Sequence, residues 1–145
     1  AGGYAVAWQI QDAAGDGFMI GVQVFDNNGS KIGDELTFDS GTGGDQLFPS
    51  IAAVGSGFAV AWQGDSTDDQ GSGVYARLFS AEGAPKAVAF QVSIFVSGDQ
   101  GLPSISQGTN VDQGFVVSWF SKDQDGDSRG IFAQRFDATG KRVYH

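Results

Sequence analysis

The 145 residues are 41% apolar and include 12 Phe, 3 Trp and 3 Tyr, enough to build a core and too many for a disordered chain. Eight basic against seventeen acidic residues leave a net charge of −9 with no Lys/Arg cluster, which sets aside nucleic acid and anionic membrane as partners. No stretch approaches the roughly 18 apolar residues of a membrane helix, Cys is absent, and 23 Gly against 3 Pro favour short strands joined by tight turns, an all-β chain.

The chain opens on Ala1-Gly2-Gly3, with neither an initiator Met nor a signal-peptide pattern, as expected of a mature or excised piece. Gly3-Tyr4-Ala5-Val6-Ala7-Trp8-Gln9 then begins a unit that is written three times. It returns as Gly57-Phe58-Ala59-Val60-Ala61-Trp62-Gln63 and, more loosely, as Gly114-Phe115-Val116-Val117-Ser118-Trp119-Phe120, at offsets of 54 and 57. Each Trp is followed 17 residues later by Phe25, Phe79 or Phe136, and each Phe four residues later by Gly29, Gly83 or Gly140. The connector Asp45-Gln46-Leu47-Phe48-Pro49-Ser50-Ile51 recurs as Asp99-Gln100-Gly101-Leu102-Pro103-Ser104-Ile105. A period of this length is the mark of a propeller, solenoid or array.

In the second copy four β-like segments follow one another: A (49 to 54), B (57 to 63), C (73 to 79) and D (87 to 93). Turn chemistry such as Gly55-Ser56-Gly57 and Ser80-Ala81-Glu82-Gly83 joins neighbours, so the segments should pair antiparallel as a meander. Only the B to C connection is long and polar. On segment B the bulky Tyr4, Val6 and Trp8 oppose Ala5 and Ala7, and Phe58, Val60 and Trp62 oppose Ala59 and Ala61. Neither face is charged, which implies sheets covered on both sides. The expected fold is therefore all-β: three four-stranded repeats of about 54 residues stacked as β-propeller-like blades, with a β-trefoil as the alternative. Residues 1–145 form one repeat domain, with repeats at 1–48, 49–101 and 102–145 and incomplete terminal copies. Relative to three full repeats a D and A pair matching 35 to 54 is missing. The chain is expected to be a fragment of a longer repeat protein or a homo-oligomer whose sheets are completed by a neighbour.

The B to C connections are acidic. Lys122-Asp123-Gln124-Asp125-Gly126-Asp127-Ser128-Arg129-Gly130 places Asp123, Asp125 and Asp127 at alternate positions, a spacing that lets carboxylates converge on a hard cation, for which calcium is the natural candidate. Ser128 at the sixth position and Gln134 at the twelfth exclude an EF-hand. Asp65, Asp68 and Asp69 are the corresponding candidates in the second copy, while the first holds only Asp12 and Asp16. The bland reading is that Asp, Gly and Ser are what exposed turns use. The Trp residues would suit a sugar-stacking platform, but Trp alternating with Val and Ala on a strand is expected in the core. Gln9, Gln63, Gln23, Gln134 and Arg77 could serve a pocket rim or satisfy backbone groups at sheet edges. No catalytic residue is assigned and no enzyme is expected: the single His, His145, is terminal, so no internal Ser-His-Asp or Cys-His arrangement exists. Carboxylate pairs able to hydrolyse glycosides remain in the turns.

The run G-F-x-V-x-W, the Asp- and Gly-rich loop and I-F-A-Q-R-F-D-A-T-G, over 114–140 and more loosely in every copy, resemble tandem repeats of very long secreted bacterial proteins of the calcium-binding, RTX and adhesin type. The G-G-x-G-x-D calcium roll of RTX proteins is absent. The resemblance implies a secreted, cell-surface, propeller-like region without catalysis that binds a glycan or protein ligand or acts as a scaffold. A carbohydrate-binding lectin with repeated sites and a self-assembling structural subunit are the alternatives, and a propeller hydrolase ranks below them.

Overall fold

A computed structural model describes residues 2–39, 43–65, 71–94, 97–109, 113–124, 126 and 128–144. Its elements are β1 (Tyr4–Gln11), β2 (Phe18–Phe25), β3 (Lys31–Phe38), β4 (Gln46–Val54), β5 (Gly57–Asp65), β6 (Ser72–Phe79), β7 (Phe90–Gln91), β8 (Gln100–Gln107), β9 (Phe115–Ser121), β10 (Gly130–Phe136) and β11 (Arg142–Val143). They form three antiparallel meanders, β1-β2-β3, β4-β5-β6-β7 and β8-β9-β10-β11. Among the described residues there is no helix and no closed barrel or ring.

The repeat is legible in the geometry of each hairpin. Tyr4, Phe58 and Phe115 face Phe25, Phe79 and Phe136 across the strand pair. The rings stack at centroid separations of 5.1, 5.0 and 5.0 Å, a geometry that adds about 1 kcal/mol per pair beyond area burial. Each pair is followed by the same turn: Asp26, Ser80 and Asp137 carbonyls accept from the N–H groups of Gly29, Gly83 and Gly140. Those glycines adopt φ of 80°, 91° and 86°, which side chains resist, so the Phe-to-Gly spacing is a turn requirement.

Sheets stack by shape. The bulky face of the second sheet, carrying Phe58, Val60, Trp62, Tyr75 and Phe79, packs with Phe38 on Ala5, Ala7, Ile20, Val22 and Val24 of the first. Its small face, carrying Ala59, Ala61, Val74, Ala76 and Leu78, receives Phe115, Val117, Trp119 and Phe136 of the third. Closest approach between the second and third sheets runs along β4 and β8, the first strand of each. The second sheet is thus buried on both faces, which the trefoil alternative would not allow.

Two expectations are corrected. The covering of both faces holds for the middle sheet alone: Tyr4 is 53% and Val6 43% exposed on the first sheet, and Ile131 is 79% exposed on the third. Segment D of the second copy contracts to β7 because Pro85, which has no N–H for a ladder, stands where Lys31 pairs with Phe25 in the first copy.

Candidate functional site

At the end of the sheets where β4 and β8 begin and β5 ends, the connectors tie one sheet to the next. The Phe18 N–H donates to Asp45 Oδ1 at 3.0 Å, and 54 residues on the Ser72 N–H donates to Asp99 Oδ1 at 3.4 Å. Gln9 Oε1 accepts the Phe48 N–H at 3.2 Å, and Gln63 Oε1 accepts the Leu102 N–H at 3.2 Å. Each connector therefore holds the sheet before it through one carboxylate and one glutamine.

The other polar residues beside the strands behave alike. Gln23 donates to the Val24, Ile32 and Gly33 carbonyls, Arg77 to Ala87 O, and Gln134 to the Arg135 and Val143 carbonyls. These three occupy one repeat position, on β2, β6 and β10, and fasten each of those strands to the chain segment that follows it. Of the two roles open to Gln9, Gln63, Gln23, Gln134 and Arg77, all five satisfy backbone groups.

Trp62 and Trp119 are core, as expected, and Trp8 is not. Trp62 is fully buried and donates to Gln46 Oε1 at 2.8 Å, while Gln46 Nε2 donates to the Gly43 and Gly44 carbonyls. Trp119 is 6% exposed and lacks the counterpart bond: its Nε1 and Gln100 Oε1 are buried without partners. The cause lies one residue pair away. A Cβ at Gly64 would stand 2.8 Å from Gln46 Oε1, and the third copy carries Ser121 at that position. Trp8 is half-buried on the open face of the first sheet.

Of the charges at this end, Asp65 feels that of Asp45 most. Asp65, half-buried, bonds through its N–H to Asp45 O at 2.8 Å. Burial first, then the charges of Asp45 and Asp99, hold its carboxyl above the ordinary value, against a hydrogen bond from Gln63 that lowers it. Beside it, Phe48 and Leu102 bulge out of β4 and β8 with φ of 54° and 49°, a left-handed backbone unusual for such residues, and stand 46% and 58% exposed.

The sign of the Asp65 shift yields a stability prediction. With its folded value raised, Asp65 supplies stability that is complete below its ordinary value of 3.8 and is lost as pH rises through the folded value. Asp65→Asn is expected to raise the melting temperature at pH 7 and to match the parent in acid, as differential scanning calorimetry at the two pH values would show.

Of the six carboxylates assigned to calcium, Asp68, Asp69, Asp125 and Asp127 lie outside the described residues. Asp123 is exposed in the β9–β10 connection and Asp65 closes β5, so the two belong to different sheets. Among the described residues, no group of three or more metal-ligating side chains comes together.

Neither a family model nor a curated protein matches the sequence. A solved structure does: a thermostable family-43 glycoside hydrolase, with a TM-score of 0.51 and 12% identity over 97% of this chain. The chain spans 58% of the length of that enzyme, and at this identity the likeness is one of fold. It corrects the expectation of a non-catalytic adhesion or scaffold module, because the arrangement of strands read as adhesive is shared with an enzyme.

Proposed function

We propose that the three sheets are blades of a β-propeller that acts on carbohydrate, cleaving a glycosidic bond at the end where β4 and β8 begin. The observation that carries this reading is Asp65. Glycoside hydrolysis needs one carboxyl that keeps its proton to protonate the leaving oxygen and a second that is ionised. Asp65 is the candidate for the first role: it closes β5 half-buried with its N–H bonded to Asp45 O, and burial and the Asp45 charge raise its carboxyl above the ordinary value. Asp99, in the connector just before β8 and bonded to the Ser72 N–H at the start of β6, is the second carboxylate. The exposed Phe48 ring supplies an apolar face for a sugar, and Leu102 the equivalent surface one sheet on. Likeness in fold to a glycoside hydrolase supports the same class of chemistry.

The proposal departs from the expectation of no enzyme because Asp65 is held where its charge costs stability, the compromise expected of a working group. Turnover is tested on a panel of nitrophenyl pentosides and hexosides. The chain is expected to release nitrophenol, and Asp65→Asn to lower kcat by about 10²-fold or more, the usual worth of a positioned acid. No turnover on any glycoside of the panel, or an Asp65→Asn variant as fast as the parent, refutes it.

A further inference from the structure

The second and third sheets differ at one buried polar contact. In the second, Gln46 faces Gly64 across β4 and β5, and the Trp62 indole N–H reaches Gln46 Oε1 at 2.8 Å. In the third, Gln100 faces Ser121 across β8 and β9, and Trp119 lies two residues before Ser121, on the same face of β9. The two amide nitrogens are held alike. Gln100 Nε2 donates at 3.0 Å to the Ser97 and Gly98 carbonyls, as Gln46 Nε2 does to those of Gly43 and Gly44, so in both copies Oε1 is the atom left to accept. Yet Trp119 Nε1, Gln100 Oε1 and Ser121 Oγ are all buried without a partner in the chain, on side chains at least nine-tenths buried. Buried polar groups bond to the chain or to ordered water, and here a donor, an acceptor and a hydroxyl share one patch of one face.

We propose that a single water is bound there as a fixed part of the third sheet, accepting from the Trp119 indole N–H, donating to Gln100 Oε1 and sharing a hydrogen bond with Ser121 Oγ. The Ser121 Cβ makes its place. At Gly64 a Cβ would stand 2.8 Å from Gln46 Oε1 and 3.0 Å from the Tyr75 ring, so an amide and an indole that meet beside glycine must part beside serine. Three partners are the usual number for a buried water. A cation would be repelled by the indole N–H, and an apolar ligand would leave all three groups unbonded. Gln100 also fastens the connector at Ser97 and Gly98, next to Asp99, so the water does for the third sheet what the direct bond between Trp62 and Gln46 does for the second. Such a water requires no catalysis at this end, and it stands or falls apart from the carbohydrate reading.

The test is nuclear magnetic resonance on the nitrogen-labelled 145-residue chain. The Trp119 indole proton should show Overhauser effects to water of opposite sign in the laboratory and rotating frames, the mark of a water held longer than the chain takes to tumble. Two variants separate the water from the hydroxyl beside it. Ser121→Ala keeps the Cβ and lacks the hydroxyl, so the effect should remain. Ser121→Gly removes the Cβ, lets Trp119 meet Gln100 directly, and should lose the effect. Absence of the effect in the parent overturns the proposal. So does its loss in Ser121→Ala, which would trace it to the hydroxyl proton, or its survival in Ser121→Gly.

Discussion

Replacing Trp62 with Ala should cost about 4 kcal/mol, the middle of the range for a buried aromatic truncated to Ala. The indole is fully buried, meets Phe38 edge-on at 5.2 Å and lies over Tyr75 at 6.3 Å. Its N–H is also the partner of Gln46 Oε1, and Gln46 is itself 0% exposed, so truncation strands a buried acceptor. The equivalent residues should cost less, in an order set by their surroundings. Trp119→Ala loses packing but no hydrogen bond within the chain, since its Nε1 has no partner there, and should cost about 3 kcal/mol. Trp8→Ala, on the open face, should cost about 1 kcal/mol. Urea melts of the three variants check the order. A Trp8 variant as damaged as the Trp62 one would mean that the first sheet is covered in solution.

The repeat was readable because it is dictated by contacts inside a single hairpin. Stacked aromatic pairs, the turn glycine and the alternation of Phe58, Val60 and Trp62 with Ala59 and Ala61 all lie within one unit, so spacing alone places the strands. What lay between units was harder to see. Asp45 and Asp99 were visible as a repeated connector, yet their bonds to the Phe18 and Ser72 N–H groups join sheets, and nothing local marks an Asp for that work. Phe48 and Leu102 stand before prolines in what reads as a strand start. Their left-handed backbone follows from bulges that only the neighbouring Gln9 and Gln63 reveal. Asp65 reads as a loop ligand for calcium because the neighbours that raise its carboxyl are distant in sequence: Asp45 reaches it only when β4 pairs with β5, and Asp99 only when the third sheet stacks on the second.

Gly57→Ala should be nearly as damaging as the loss of an indole, although it adds one methyl group. A Cβ at Gly57 would be driven into the carbonyl oxygen of Phe79, with Phe79 C and Ser80 C each 3.1 Å away. Those are backbone atoms of β6 and its turn, so no side chain can rotate out of the way. Relief requires parting β5 from β6 beside the stacked Phe58 and Phe79 rings, which places the cost on the order of 3 kcal/mol, the upper part of the range for overpacking. The same collision awaits a Cβ at Gly3 with Phe25 O and at Gly114 with Phe136 O, which explains why each copy of the motif opens on glycine. Ser56→Ala, one residue earlier and exposed, should lie within about 0.5 kcal/mol of the parent. Thermal melts of the two variants side by side separate a steric requirement from ordinary turn preference: equal melting temperatures would mean that β5 and β6 can part at no cost. That outcome would also remove the reason for the first residue of the repeat.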